Sequence, residues 1–190
     1  MMSQVFVSGH KSPDTDSIAA ALSYSYLKRR LGMDAVAVRA GEINKESRFA
    51  LDYFNLEEPM LVTSVARKNP EDEKQKVILV DHNESKQTID GMDDAEVLEI
   101  IDHHRFGDFE SENPIFILVR PVGCVNTVIY GLYKANHIRP SREIAGIMLS
   151  AIISDTVLFR SPTTTEEDKE TAKELAEIAG VDYEAYGMEM

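Results

Sequence analysis

Cysteine occurs once and tryptophan not at all in these 190 residues. A lone thiol cannot close an internal disulfide, so a reducing cytoplasm is the expected setting. Cys124 falls among Val122, Val125, Val128, Ile129 and Leu132 and is expected to be a small core residue, not a nucleophile. No apolar run approaches the roughly 20 residues of a bilayer-spanning helix, and the amino terminus lacks the charged-then-apolar pattern of a secretion signal. No membrane partner is expected. Positive charge is scarce as well, with 20 Lys and Arg against 33 Asp and Glu and a net charge of −13. The acid is spread along the chain, which argues against nucleic acid as a partner, because phosphate backbones are gripped by clustered Lys and Arg. A phosphate substrate would need its positive charge from another source.

What is present is an ordinary globular composition, 43% hydrophobic and 28% charged, in a chain long enough for one substantial core. Residues 4–8 read as a buried strand, residues 17–31 as a helix ended by Gly32, residues 35–38 as a second strand and residues 45–55 as a second helix. Residues 67–76 are polar, mixed in charge and broken by Pro70, as in a surface loop. Val77 to Val80 and Val97 to Ile101 are apolar runs of the kind found in central parallel strands, and Ile115 to Val119 is another strand. Residues 123–134, 142–154 and 165–179 read as helices, the second apolar on most sides, and residues 181–190 as a further helical turn or a linker. Strands separated by helix-length segments predict an α/β fold with a mostly parallel sheet and helices on both faces.

The residues with chemistry gather where such a sheet binds its ligands, at the carboxyl ends of its strands. His10, Asp14 and Asp16 follow the first strand, Asp81 another, and His103 and His104 a third, while Asp155 ends a buried helix. Imidazole and carboxylate donors without thiolate suit Mn, Mg, Co or Zn. Distant stretches that each deliver such a donor to one edge predict a binuclear metal site, since two cations about 3.5–4 Å apart need a bridging carboxylate to offset their repulsion. Such ions would also supply the missing positive charge. His82, next to Asp81, is expected to be structural or to support the ligands. Asp102 is expected to fix its loop or orient a histidine, and His137 to be an exposed bystander.

The segments His10-Lys11-Ser12-Pro13-Asp14-Thr15-Asp16, Val80-Asp81-His82-Asn83-Glu84, Ile101-Asp102-His103-His104-Arg105, Pro121-Val122-Gly123-Cys124 and Ala151-Ile152-Ile153-Ser154-Asp155 resemble the family II inorganic pyrophosphatases of the DHH phosphoesterase superfamily. The resemblance runs in order along essentially the whole chain. It implies hydrolysis of pyrophosphate to two phosphates at a pair of Mn²⁺ or Co²⁺ ions, with Mg²⁺ accompanying the substrate. Position by position, His10 and Asp14 match ligands of one metal and Asp16, His103 and Asp155 ligands of the other. Asp81 matches the bridging carboxylate and His104 the histidine that contacts substrate. Ser12 stands where many members carry Asn.

Family members add a carboxyl-terminal domain with a basic lid over the phosphates. The resemblance therefore implies that residues 1–180 are the metal-binding catalytic domain and 181–190 the start of a linker, with metal bound but turnover much reduced. It also implies a homodimer through this domain. Residues 67–76 are too few to hold the nucleotide-sensing insert of some members, so adenine-nucleotide regulation is not expected. The competing expectations are another DHH phosphoesterase, acting on short polyphosphate, oligonucleotides or 3′-phosphoadenosine phosphate, and a metal-binding regulatory module without turnover.

Overall fold

The computed structural model describes residues 4–190, so the first three positions of the expected catalytic domain lie outside the described residues. Six strands form one sheet in the order β3-β2-β1-β4-β5-β6: β1 (Val5–Ser8), β2 (Ala35–Arg39), β3 (Met60–Leu61), β4 (Lys76–Val80), β5 (Glu96–Asp102) and β6 (Phe116–Val119). Every neighbouring pair is parallel. The helices are α1 (Thr15–Arg30), α2 (Lys45–Tyr53), α3 (Val125–Ala135), α4 (Arg142–Thr156), α5 (Glu166–Ala179) and α6 (Tyr183–Glu189). The mostly parallel α/β sheet expected from the strand spacing is entirely parallel among the described residues. The two-residue β3 went unforeseen because Met60 and Leu61 are exposed and carry no strand-length pattern.

Helix ends follow local chemistry. Asp14 caps α1 by accepting from Ser17 N at 2.9 Å, and Lys28, Arg29 and Arg30 fill its last turn, where cations complement the helix dipole. Helix α5 opens on a reciprocal capping box between Thr165 and Asp168 and closes on Gly180 at φ 70°.

Alternation along the strands splits the core in two. Val5, Val7, Ile78, Val80 and Ile101 face the helices. Val38, Val77, Leu79 and Ile100 face a second cluster closed by Val65, Ile89, Phe109 and Ile115. All six α-helices contribute to the first cluster. On the second face the helices are the short 3-10 turns Ser85–Gln87 and Met92–Asp94, set among loops. Strand addition runs one way from β1 through β2 to β3 and the other way from β4 to β6. Crossovers of one hand therefore leave on opposite faces, and a crevice opens between the carboxyl ends of β1 and β4.

Residues 181–190, expected to form a further helical turn or the start of a linker, hold α6. Its Tyr186 is 2% exposed, packs on Phe49, Tyr53 and Phe54, and shares a 2.6 Å hydrogen bond with Ser150 Oγ.

Candidate metal centre

The crevice is built by three strand ends and two helix ends. After β1 the chain turns through Gly9, where a Cβ would stand 2.1 Å from Ser17 Oγ. Only glycine lets α1 come this close, and the hydroxyl it admits accepts from His10 N at 2.9 Å. Ser12, in the same turn, sits at φ 54°, a region that favours Asn over Ser. After β4, Asp81 adopts φ 61° while its N–H still donates to Ile101 O at 2.9 Å. A left-handed aspartate is uncommon and marks a site the surroundings impose.

Asp81 is 1% exposed, and neither carboxylate oxygen has a hydrogen-bond partner among the described residues. Oδ2 lies 3.4 Å from His10 Nε2, and Oδ1 lies 3.3 Å from His103 Nε2. His10 Nε2 is also 3.6 Å from Asp14 Oδ1, and His103 Nε2 is 3.5 Å from Asp16 Oδ2. Three donor groups result: His10, Asp14 and Asp81; Asp16, His103 and Asp155; and Asp81, His103 and His104, each with donor atoms within 4.8 Å of one another. All seven predicted site residues come together, with Asp81 common to two groups.

The imidazoles are set for ligation. His10 Nδ1 donates to Lys11 O at 2.7 Å and His103 Nδ1 to Val122 O at 2.9 Å, which leaves Nε2 of each as the lone-pair donor. His104 Nδ1 donates to Asp102 Oδ1 at 2.8 Å. Fully buried Asp102 also accepts from His103 N, His104 N and Asn83 Nδ2, so it orients the loop and its histidine as expected.

Asp16 is gripped where α3 begins. It accepts from Val125 N at 2.9 Å, from Asn126 Nδ2 at 2.6 Å and from Cys124 Sγ at 2.9 Å, with the positive end of the helix dipole behind it. Asn126 carried no motif signal, because its partner Asp16 is 110 positions away, and Asn83 lies inside a recognised segment that assigns it no role. Cys124 is buried but is a donor to the site, not only core.

The electrostatics describe an unbalanced cluster of acid. Burial opposes charge on His10, yet Asp14 and Asp81 outweigh it and push the imidazole up to about 11. His103 rises to about 10 despite burial, held by Asp81 and Asp16. Burial and the charge of Asp16 push Asp81 up to about 6 and Asp155 up to about 11. Protons would be held on Asp81 and Asp155 against the ordinary preference of a carboxyl, and a divalent cation would relieve the same crowding. Oxygen and imidazole donors around orphaned buried carboxylate oxygens fit a hard or borderline divalent ion.

His82 is 2% exposed and is pushed down to about 4 by burial. Its Nδ1 bonds Val80 O, and its ring lies edge-on to His10 at 6.3 Å. It lines a cavity of about 320 Å³ with His10, Asn83, Glu84, Gln87, His104 and Arg105. His137 is exposed and takes no part.

A parallel α/β sheet with a carboxylate and imidazole centre at its switch point defines a class of metal-dependent protein. The chain belongs to the DHH family: the family described as "DHH family, N-terminal domain" matches residues 4–152. A protein of Exiguobacterium sp. named as a probable manganese-dependent inorganic pyrophosphatase is 53% identical over all of this chain and 60% of its own length. One from Bacillus licheniformis with the same name is 54% identical over the same shares. The crystal structure of a Methanococcus jannaschii protein, named as a candidate family II inorganic pyrophosphatase, superposes with TM-score 0.88 and 43% identity, covering 98% of this chain and 60% of that one. An exopolyphosphatase-related protein of Bacteroides fragilis shares the fold, with TM-score 0.71 at 19% identity over 96% of this chain and 54% of that one. The chain thus spans about 60% of the length of the curated relatives it matches. Among the described residues no helix is long and apolar enough to cross a membrane.

Proposed function

We propose that this chain is the metal-binding part of a manganese-dependent hydrolase that splits inorganic pyrophosphate into two phosphates. One observation carries the reading: a buried aspartate, Asp81, offers one unpartnered oxygen to His10 and the other to His103. A carboxylate so placed is suited to bridge two ions. In this reading His10 and Asp14 would hold one ion and Asp16, His103 and Asp155 the other, with Asp81 able to serve both. The names of the relatives favour Mn²⁺, with Co²⁺ the next candidate and Mg²⁺ accompanying the substrate. Two such ions would supply the Lewis acidity that offsets phosphoryl charge and acidifies water.

The chain's own residues do the rest. Asp102 holds His104 Nδ1–H, so Nε2 on this half-exposed ring is the atom left to carry a proton to the leaving phosphate oxygen. The Asp102 contact raises the imidazole's pKa, which favours the protonated form that this role needs. The cavity beside His10 and His104, about 320 Å³ in volume, has room for a small anion, and Arg105 at its rim is a cation already present. The rest of the relatives' length is proposed to supply the remaining cations and a lid. This chain alone would then bind metal but turn over slowly. Pairing into a homodimer along the outer edge of β6, where Phe116 and Ile117 are 50% and 43% exposed, and a cytoplasmic setting complete the reading.

Phosphate release with Mn²⁺ from pyrophosphate, tripolyphosphate and a dinucleotide tests it. Slow release, greatest from pyrophosphate and abolished by Asp81→Asn, is expected. Preference for the dinucleotide, or release that survives Asp81→Asn, would overturn the assignment.

A further inference from the structure

Glu46 stands in the first turn of α2, beside the centre and outside every role assigned above. Its Oε1 accepts the hydroxyl of Thr15 and, at 2.6 Å, the hydroxyl of Ser154. Thr15 is fully buried between Asp14 and Asp16 at the start of α1. Ser154 directly precedes Asp155 in the last turn of α4. A single carboxylate oxygen therefore joins the two helix ends that deliver Asp14, Asp16 and Asp155. The anchor is itself secured, because Thr15 Oγ1 lies 3.2 Å from Ser47 Oγ and Asn44, the N-cap of α2, accepts from Ser47 N at 2.7 Å.

The centre needs such a tie. Asp16 and Asp155 bring donor atoms within 4.8 Å of each other, and once both meet a cation as carboxylates their like charges push the start of α1 from the end of α4. Asp16 has its own grip from α3, whereas Asp155 sits at a helix end, next to the left-handed Val157 cap at φ 49°. The hydroxyl beside Asp155 is bonded back to the hydroxyl beside Asp16 through Glu46. Packing of α1 on α4 sets the coarse separation, and the shared oxygen sets the fine one.

Resting on the metal-centre reading above, we propose that Glu46 is a positioning residue. By holding Thr15 and Ser154 on one oxygen it fixes the spacing of Asp16 and Asp155, and so sets cation affinity at the group formed with His103. It touches no cation and no substrate.

Calorimetric titration of the chain with Mn²⁺ tests this, using wild type, Glu46→Gln, Glu46→Ala, Ser154→Ala and the double Ala variant. Glu46→Ala is expected to weaken one of the two ions by about 10–100-fold, as loss of a partner that orients a ligand does. Glu46→Gln keeps an acceptor oxygen and should stay within about threefold of wild type. Ser154→Ala should weaken the same ion. The double variant should be no worse than Glu46→Ala, because both changes remove one shared contact. The unfolding temperature of the metal-free variants separates positioning from simple docking of α2. Equal weakening of both ions in step with lost metal-free stability would overturn the proposal, as would unchanged binding in Glu46→Ala. If Glu46→Ala does not fold, Ser154→Ala against Glu46→Gln carries the same comparison, with equal affinities the contradicting result. A wild-type chain that binds no Mn²⁺ would sink the metal-centre reading and this inference together; tight wild-type binding untouched by these variants would sink only the inference.

Discussion

At the scale of single residues, the centre is governed by Asp81. Burying a carboxylate with no hydrogen-bond partner is costly, and the left-handed backbone at φ 61° adds to that cost. Both are repaid if cations complete the site. Asp81→Asn, which keeps shape and removes charge, is expected to weaken both Mn²⁺ ions by more than about 100-fold, beyond what loss of an outer partner costs. Equal affinity by calorimetry in the two proteins would show that Asp81 does not bridge. Protons tell the same story with a definite sign. In the folded, metal-free chain His10 and His103 are raised to about 11 and about 10, and Asp81 and Asp155 are raised as well. The folded state therefore holds more protons than the unfolded one above about pH 6.5, where His82, lowered to about 4, is neutral in both states and no longer opposes the trend. The stability the histidines contribute is full below their ordinary value and lost as pH rises toward their folded values, and the raised carboxyls act in the same direction. Asp14 and Asp102 are lowered, but their contribution is lost only in acid and does not touch this window. The metal-free unfolding temperature should fall between about pH 6 and about pH 9, and Mn²⁺ should restore it most at the higher pH. A metal-free chain that grows more stable across that range would contradict the cluster's electrostatics.

At the scale of elements, the ends of strands and helices make the site, and their junctions are tightly constrained. Gly9→Ala would drive a methyl into Ser17 Oγ, which holds His10 N. Loss of both stability, on the order of 1–3 kcal/mol, and Mn²⁺ affinity is expected, read by thermal unfolding and by titration. Unchanged values for both would show that the β1 to α1 junction yields freely. This junction was legible in advance, since the apolar run 5–7, the cluster at 10–16 and the following helical pattern are all local. The donors from Asp81, His103, His104 and Asp155 were legible too, because each sits where a patterned run stops. The supports were not. Asn126 reaches Asp16 across 110 positions and Ser154 reaches Glu46 across 108, and nothing local marks such pairs. The cover of the second face was harder to read for a related reason: the connections after β3, β4 and β5 hold no α-helix, and Val65, Ile89 and Phe109 close that core one at a time, without helical periodicity.

At the scale of the whole molecule, an acidic chain with a net charge of −13 presents a cleft lined by buried carboxylates, and in the proposed reading cations bound there would supply the positive charge that admits a phosphate anion. The reversal of strand order between β1 and β4 makes the cleft, and both strands lie within residues 4–152 that the family matches. Anomalous scattering at the manganese edge from crystals of the Mn²⁺-loaded chain addresses the central claim most directly. Two peaks about 3.5–4 Å apart, on either side of the Asp81 carboxylate, are predicted, one contacted by His10 and Asp14 and the other by Asp16, His103 and Asp155. A single peak, or peaks away from Asp81, would contradict the account.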